Sequence, residues 1–516
     1  RRFIKAEILA KSLTKEFPSH KFAWKILGAV FNQTGRINEA IIFMHKSIQL
    51  DPQDAEAHNN LGVIYQDLGR LEEAEASYTQ ATILQENYIE AYCNLGNILK
   101  DQGKLEKAVN AHQKAISINP NYSDAYYNMG ITLKLLGKLE ESKVCYTKAI
   151  ELNPNHSKAY NNLGNILQEK GKIEEAIIVY KKALLINPNY VEAYNNMGNV
   201  FKDQGKLEES IKLFKKTLSI NPNYAYAYNN IGNALKEQGK LEESVKSFKK
   251  ALSIKPDFAL ALNNMGVALK DQGKTKEAIQ AFKKALSINF EDSVTHKNLS
   301  FTLLNFGRFK EGLDEYEWRW KTNEFITQYR HFSQPLWNKK IPLNGKSIFL
   351  WCEQGVGDTI TWSSCISHIT VQAKHCILEC QEKLVPLLKR SYPNIEVKAE
   401  DRSLDTSRND FDFHIPMGSL YKNLNTEIFQ KTKVDPYLIP DQARVEYWKK
   451  KLISIGKGPY IGVSWKSVVM SPDRIPNYAS IYDWFPLFRL PNIKFINLQP
   501  KDFEEDLNKI KNELGI

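Results

Sequence analysis

The stretch AYNNLGN, residues 159–165, decides the fold because near copies of it return along the chain at one fixed spacing. Its glycine belongs to a series in which each member lies 34 residues after the last. That series consists of Gly28, Gly62, Gly96, Gly130, Gly164, Gly198, Gly232 and Gly266. A second series follows seven residues behind the first and runs from Gly35 to Gly307. Eight matched registers exclude coincidence and predict an internal repeat.

The residue type at each repeated position has a mechanical reason. Small residues such as Gly28, Ala40 and Ser142 allow the two helices of a repeat to approach closely. The second glycine series lies where the first helix must end, since glycine adopts the left-handed conformation without strain. A proline stops the second helix or starts the next repeat, and Glu86 and Phe290 replace it in two repeats. The prolines are Pro52, Pro120, Pro154, Pro188, Pro222 and Pro256.

A period of 34 with an aromatic-x-x-Leu-Gly opening is typical of the tetratricopeptide repeat. The sequence therefore predicts an α-helical superhelical solenoid of about nine repeats over residues 21–322, after a partial repeat in residues 1–20. Because Arg1 stands in place of a methionine and opens half a repeat, we expect the chain to begin inside a longer protein.

An asparagine recurs two residues before each glycine of the first series, or before Ser300, which replaces it. We expect these side chains on the concave face, where their amides could pair with the backbone of an extended peptide whatever its sequence. The alternative is that they bond to backbone within the solenoid. Tyr126, Tyr160, Tyr194 and Tyr228 are interpreted as core residues rather than contacts. The candidate peptide-binding residues are Asn60, Asn94, Asn128, Asn162, Asn196, Asn230, Asn264 and Asn298.

Composition indicates a soluble globular protein, with 42% hydrophobic and 25% charged residues. No apolar run long enough for a membrane span and no targeting segment is present in the sequence, so we expect a cytoplasmic protein. The net charge of +11 comes with lysines interleaved with glutamates in the repeats, which disfavours a nucleic-acid partner. Six scattered cysteines lack metal-ligand spacing and predict buried, reduced thiols, with no metal and no cofactor.

The repeat pattern stops after Trp318-Arg319-Trp320, and residues 323–344 form a junction with aromatic residues and two prolines. An α/β rhythm follows, with strands at Ser347–Trp351 and Cys376–Cys380, a helix at Lys383–Arg390, and short strands near Ile395 and Phe411. Alternation of this kind predicts a parallel sheet, with ligands at the carboxyl ends of its strands.

The loop EQGVGDT, residues 353–359, lies at such a strand end. Gly355 and Gly357 allow close backbone approach, and a helix beginning near Thr359 would direct free amides toward a ligand. Asp358 is then placed as a general base should be, although an aspartate can also cap a helix here.

Two resemblances extend these predictions. The AYNNLGN helices resemble the superhelical repeats of protein O-GlcNAc transferases and their bacterial relatives, which implies a polypeptide partner. GKSIFLWCEQGVGDT and YIGVSWKS resemble the heptosyltransferase-related glycosyltransferase domain that follows tetratricopeptide repeats in bacteria. This second resemblance implies two Rossmann-like halves of the GT-B type: an acceptor-side half at 345–440, a linker helix at 441–458 and an incomplete donor-side half at 459–516.

By that resemblance Asp358 corresponds to the catalytic base and Lys466 to a residue near the donor diphosphate. We expect the hydroxyls of Ser464 and Ser467 to help neutralise this diphosphate. Gly355 and Gly357 complete the candidate donor-binding residues. The expected activity is metal-independent, inverting sugar transfer to a protein or glycan. SWKS could instead be a strand-end turn with a solvated lysine. No His-Pro pair matches the acceptor-side motif of protein O-GlcNAc transferases, and about 58 residues are short for a second half. A non-catalytic scaffold is the alternative function.

Overall fold

The computed structural model describes residues 2–353, 355–405, 408–424, 436–464, 480–498 and 504–514. The chain is divided into two compact bodies, an N-terminal body Arg1–Asn298 and a C-terminal body Leu299–Ile516. In the described parts of the chain, no helix combines the length and the apolar character needed to cross a bilayer.

Helix pairs follow an opening helix, Arg2–Glu16, and we number them repeats 1 to 9. The first helices of the repeats are Lys21–Gln33, Ala55–Asp67, Ile89–Asp101, Ser123–Leu135, Ser157–Glu169, Val191–Asp203, Ala225–Glu237, Ala259–Asp271 and Ser293–Asn305. The second helices are Ile37–Leu50, Leu71–Leu84, Leu105–Ile118, Leu139–Leu152, Ile173–Ile186, Leu207–Ile220, Leu241–Ile254, Thr275–Ile288 and Phe309–Tyr316. The predicted helical solenoid is confirmed, and the body division at 298 falls inside the first helix of repeat 9.

Close packing inside a repeat depends on the first glycine series. A Cβ atom added to Gly62 would lie 2.6 Å from Cε1 of Tyr78 on the second helix. The same contact recurs in later repeats against His112, Tyr146, Tyr180, Phe214, Phe248 and Phe282. Serine takes the small position of the second helix in repeats 4 and 7, where Ser142 Oγ donates to the carbonyl of Gly130 and Ser244 Oγ to that of Gly232, each at 2.7 Å. Glycine is therefore required by the distance between the two helices.

The turn between the two helices of each repeat uses the left-handed region of the backbone. The second glycine series has φ between +71° and +80° from Gly35 to Gly307. Second helices end two residues before each proline, and they end at the same register where Glu86 and Phe290 stand instead. Proline therefore marks the helix end without being needed for it.

A parallel sheet with the strand order β3-β2-β1-β4 organises the C-terminal body. Its strands are β1 Ser347–Trp351, β2 His375–Cys380, β3 Glu396–Ala399 and β4 Phe413–Pro416, and a separate parallel pair is formed by β5 Tyr460–Val463 and β6 Lys494–Asn497. The predicted parallel sheet is confirmed. Its assignment to a two-half glycosyltransferase fold stays a prediction.

Short helices connect these strands. The α-helices are Asn323–Ile326, Val356–Ser363, Ile366–Thr370, Val385–Ser391, Leu420–Asn423, Gln442–Ile455, Phe485–Phe488 and Glu504–Leu514. The 3₁₀ helices are Glu317–Lys321, Glu382–Leu384, Arg402–Leu404, Met417–Ser419 and Ile481–Trp484.

The two faces of the four-stranded sheet are covered differently. Side chains alternate along β1, so Ile348 and Leu350 join the main core while Phe349 and Trp351 point to the opposite face. That opposite face packs against Trp320, Tyr329 and Phe332, which belong to the segment after the repeats. Tyr329 and Phe332 of the predicted junction, together with Trp320 from the end of the predicted solenoid, thus complete the core of the C-terminal body.

Candidate functional site

The eight candidate asparagines lie at equivalent positions of successive first helices, and all are half-buried. Five of them donate a side-chain hydrogen bond to the preceding repeat, 35 residues back. These bonds are 3.0 to 3.1 Å long and join Asn94 to Asn59, Asn196 to Asn161, Asn230 to Asn195, Asn264 to Asn229 and Asn298 to Asn263. We call this series the asparagine ladder.

The acceptors of the ladder are residues that the sequence analysis did not single out. Each is the first asparagine of an Asn-Asn doublet, and all are buried: Asn59, Asn161, Asn195, Asn229 and Asn263. With Asn162, which also bonds to neighbouring side chains, six of the eight candidates are hydrogen-bonded within the solenoid, although their partners are side chains and not the backbone of the alternative. Among the described residues, Asn94, Asn230 and Asn264 each use one amide hydrogen in the ladder, so a second hydrogen remains available to a peptide. Asn196 Nδ2 also donates to Asn165 Oδ1 at 3.1 Å, so both of its hydrogens are used within the solenoid.

The ladder is interrupted in repeats 3 and 4, where Cys93 and Tyr127 replace the first asparagine of the doublet. Among the described residues, the side chain of Asn128 has no hydrogen-bond partner, because Cys93 stands where its acceptor would be. The Nδ2 of Asn162 reaches the hydroxyls of Tyr127 and Tyr146, each at 3.5 Å, and its Oδ1 accepts from Asn161 Nδ2 at 3.3 Å. Asn60 at the start of the series also lacks a side-chain partner in the described part of the chain, since Lys25 occupies the equivalent place in repeat 1.

A groove of ≈ 530 Å³ lies at this interruption, and its lining residues all belong to the N-terminal body. Asn94, Asn97 and Asn128 supply amides to it, and Cys93 supplies a buried thiol whose pKa burial raises to about 12. The remaining lining residues are Asn59, Glu90, Tyr122, Asp124, Tyr127, His156 and Lys158. Such a mixture of amides and charged groups can pair with a peptide backbone and with a polar side chain at the same place.

His156 is fixed in one tautomer at the edge of this groove. Its Nδ1 accepts a hydrogen bond from the backbone amide of Ala159 at 3.2 Å, so the proton of the neutral ring lies on Nε2. Nε2 faces Asp124 Oδ1 at 3.4 Å, and the ring lies 4.6 Å from that of Tyr127. Burial lowers the pKa of His156, which favours the neutral ring as a hydrogen-bond donor toward the groove.

The loop after β1 is partly closed by an ion pair. Arg319 and Glu353 each have 1% of the side chain exposed, and Arg319 Nη2 lies 2.8 Å from Glu353 Oε2. Burial raises the pKa of Glu353, and the attraction of Arg319 opposes that effect. Arg319 also donates to Ser419 Oγ at 2.8 Å. Glu353 is therefore a structural residue of the loop, and the sequence offered no sign of its partner.

Asp358 and the two glycines of this loop are exposed at the carboxyl end of β1. The predicted helix start near Thr359 is wrong, because the helix begins at Val356 with Gly355 as its N-cap. Asp358 therefore lies in the first turn and does not cap the helix. It has no hydrogen bond or ion pair with a described residue, and a Cβ atom on Gly357 would meet no atom within 4 Å. The carboxylate of Asp358 is therefore accessible from solvent.

The predicted diphosphate-binding residues follow β5. Ser464 comes directly after that strand and is exposed, whereas Lys466 and Ser467 lie outside the described residues. β5 pairs with β6 in a sheet separate from that of β1, so Asp358 and Ser464 follow strands of two different sheets. The binding of a diphosphate here stays a prediction.

The four tyrosines interpreted as core residues, Tyr126, Tyr160, Tyr194 and Tyr228, are half-buried. All six cysteines are buried and free, as the sequence predicted. In the described ranges, no cluster of three His, Cys, Asp or Glu side chains could hold a metal ion.

Comparison with known protein families places repeats along most of the N-terminal body. The family described as TPR repeat matches residues 28–69, 96–137, 164–205, 198–239 and 232–273. Families described as tetratricopeptide repeat match residues 55–88, 123–156, 145–178 and 259–292. The matched segments run from residue 28 to residue 292 with one gap, at 89–95.

Similar proteins match parts of the chain. Protein FlbA of Caulobacter vibrioides is 30% identical over 189 residues, so the match spans 34% of this chain and 32% of FlbA. Among solved structures, a tetratricopeptide repeat protein from Parabacteroides merdae has 23% identity and a TM-score of 0.43, with 49% of this chain and 99% of that chain covered. YrrB, described as a TPR protein with an unusual peptide-binding site, has 25% identity and a TM-score of 0.30, with 36% and 95% covered.

Proposed function

Because the chain belongs to the tetratricopeptide repeat proteins, we propose that its solenoid holds an extended polypeptide along the face of the first helices. Tetratricopeptide repeats indicate a protein-binding scaffold, and stacked helix pairs present an extended concave surface to a partner. The observation that carries the proposal is the interruption of the asparagine ladder at Cys93 and Tyr127. There the amide of Asn128 is unused among the described residues, and a groove of ≈ 530 Å³ is open beside it.

Amide pairing explains how such a face would tolerate many sequences. Among the described residues, Asn94, Asn230 and Asn264 each keep one N–H after donating to the preceding repeat, so weak, equivalent donors recur along the solenoid. A peptide whose backbone carbonyls accept from this row gains roughly 0.5–1.5 kcal/mol for each hydrogen bond. The groove adds one position at which a side chain can be bound as well.

The test is peptide binding measured by fluorescence polarisation with a random library of peptides of about 15 residues, which span roughly 50 Å when extended. Binding peptides are then measured against Asn94→Ala/Asn128→Ala and against the control Asn189→Ala, an exposed asparagine in a loop. The double variant is expected to raise Kd at least about tenfold, equal to about 1.4 kcal/mol, and the control is expected to leave Kd unchanged. Equal affinities for both variants would remove the groove from the binding site.

We also propose a second function, sugar transfer by the C-terminal body. It is supported by the exposed carboxylate of Asp358 beside open space at the carboxyl end of β1. In this reaction Asp358 takes the proton of an acceptor hydroxyl as that oxygen bonds to the anomeric carbon of the sugar. The bond from that carbon to the nucleoside diphosphate breaks with inversion, and Lys466 and the hydroxyls of Ser464 and Ser467 offset the charge of the departing diphosphate.

Isothermal titration with UDP-, GDP- and ADP-linked sugars, with Lys466→Ala as the comparison, tests donor binding by this chain. Saturable binding that is lost in Lys466→Ala is the expected result. A transfer assay with Asp358→Asn follows, and because general acid–base catalysis contributes about 10²–10⁴-fold, the rate is expected to fall within that range while donor affinity is kept. If no donor binds, the scaffold remains the function of this chain.

A further inference from the structure

A cleft in the C-terminal body lies outside both proposed sites. It opens at the carboxyl end of β4. The segment at Leu336 runs parallel to β4, because Leu336 forms a β-bridge with His414 and the amide of Trp337 donates to the carbonyl of His414 at 2.8 Å. The cleft also lies at the carboxyl end of that segment. The third wall is the helix Phe309–Tyr316. The volume is ≈ 540 Å³, within the range of about 300–1,000 Å³ that small-molecule sites occupy.

Lysines dominate the lining of this cleft. The lining contains four lysines, Lys310, Lys339, Lys340 and Lys422, and a single carboxylate, Asp314. Asp314 lies 3.3 Å from the ammonium of Lys422. Among the described residues, no carboxylate is paired with the other three lysines. The lining therefore carries three positive charges that its own carboxylate does not neutralise.

The backbone that carries two of these lysines is held in place. Asn423 Oδ1 accepts a hydrogen bond from the amide of Lys339 at 3.2 Å, and Asn423 Nδ2 donates to the carbonyl of Ser419 at 3.0 Å. The buried side chains of Leu313 and Leu424 lie beneath them. Because the wall is already ordered, a ligand has to immobilise lysine side chains only, which lowers the entropic cost of binding.

We propose that this cleft binds a small ligand carrying a phosphate ester or a diphosphate. Ammonium groups act as point charges for phosphate oxygens, and ligands of parallel sheets bind outside the carboxyl ends of the strands. The four lysines line the cleft that such an anion would enter, and Asp314 is paired with Lys422. The site is independent of peptide binding and of sugar transfer, because neither uses these lysines.

The experiment is isothermal titration of the full chain with pyrophosphate, with citrate as an anion of other chemistry. Lys339→Ala/Lys340→Ala is expected to raise the Kd for pyrophosphate at least about tenfold. Asp314→Asn is expected to lower it about two- to fivefold, since it removes the competing carboxylate. Lys249→Ala/Lys250→Ala, an exposed lysine pair in repeat 7, is the matched control and is expected to leave Kd unchanged.

The results that overturn the proposal are equally definite. They are absence of saturable pyrophosphate binding, equal Kd values for the cleft pair and the control pair, or tighter binding of citrate than of pyrophosphate. Lys466→Ala separates the two candidate phosphate sites. Loss of binding in Lys466→Ala alone would assign pyrophosphate to the predicted donor site and reject the cleft.

Discussion

His112 occupies the position at which other repeats place an aromatic ring against glycine, and it is fully buried beside Gly96. Neither ring nitrogen has a hydrogen-bond partner among the described residues. A buried N–H without a partner costs roughly 1–3 kcal/mol. Phe214, Phe248 and Phe282 fill the same place without any polar atom. The packing requirement here is for a flat ring, and the polarity of histidine is a cost.

We therefore expect His112→Phe to stabilise the N-terminal body by about 1–3 kcal/mol. Urea unfolding followed by far-UV circular dichroism at pH 7 measures the change. Tyr146→Phe, at the equivalent position of repeat 4, is the control and should shift stability much less, because the hydrogen bond between that hydroxyl and Asn162 is long, at 3.5 Å. A destabilised His112→Phe would mean that the nitrogens of His112 are paired in solution.

The same residue predicts a pH dependence of stability. Burial lowers the pKa of His112 to about 4 from its ordinary 6.5, so the unfolded chain binds the proton first as pH falls. Stability then falls with pH between 6.5 and 4, and the loss at pH 4.5 relative to pH 7 is about 2.5 kcal/mol. Unfolding of the native chain and of His112→Phe at both pH values isolates this contribution. An unchanged difference between the two proteins would contradict it.

At the scale of the helix pair, the two glycine series act through different physical effects. Gly62→Ala puts a methyl group 2.6 Å from the ring of Tyr78 and is expected to cost about 1–3 kcal/mol by overpacking. Gly69→Ala meets no atom within 4 Å but keeps a φ of +71°, and it is expected to cost about 1–2 kcal/mol.

A double-mutant cycle distinguishes the two effects. In a Tyr78→Leu background, which makes room beside Gly62, the cost of Gly62→Ala should shrink, whereas that of Gly69→Ala should not. Chemical unfolding of the six proteins provides the comparison. Equal costs of Gly62→Ala in both backgrounds would show that the ring of Tyr78 does not set the helix spacing.

The fold of the solenoid could be predicted from the sequence because each helix pair repeats the same residue types at a spacing of 34. Gly62 indicates the close packing of the two helices, and Gly69 indicates the turn between them. The ladder was predicted only in part. Periodicity shows that Asn196 and Asn230 share a face, but the acceptor of Asn230 is Asn195 in the neighbouring repeat, a contact that depends on how repeats stack. The doublet in AYNNLGN was the available sign of it.

Whole-molecule contacts account for what the sequence could not provide in the C-terminal body. Glu353 was interpreted as part of a ligand-binding loop, yet its carboxylate is buried against Arg319 from the segment after the repeats. Such an ion pair joins residues that are far apart in the chain, so no periodic pattern in the sequence indicates it. Asp358 could be placed at a strand end from local pattern alone, because the strand Ser347–Trp351 and the loop after it are contiguous.

The ion pair of Arg319 also predicts a stability effect for this body. Arg319→Met leaves Glu353 buried without its partner and is expected to cost about 3–5 kcal/mol. The double variant Arg319→Met/Glu353→Gln should regain at least about 1 kcal/mol, since it removes the buried charge. Hydrogen exchange resolved by peptide locates the change, which should be confined to residues after 298. A double variant less stable than Arg319→Met would contradict this account.

The interruption of the ladder also provides a fixed reference position along the solenoid for a bound polypeptide. A uniform row of amides offers a bound chain the same contacts at every step, so it cannot fix which residue lies against which repeat. Cys93 and Tyr127 make two consecutive steps different from the others, and repeats 5 to 9 follow them. In a solenoid that holds a polypeptide, the number of repeats after the interruption then sets the length of bound chain beyond that reference position. Removing the 34 residues of repeat 6 or of repeat 7 shortens that length of bound chain by one repeat, while the ladder pattern on either side is kept.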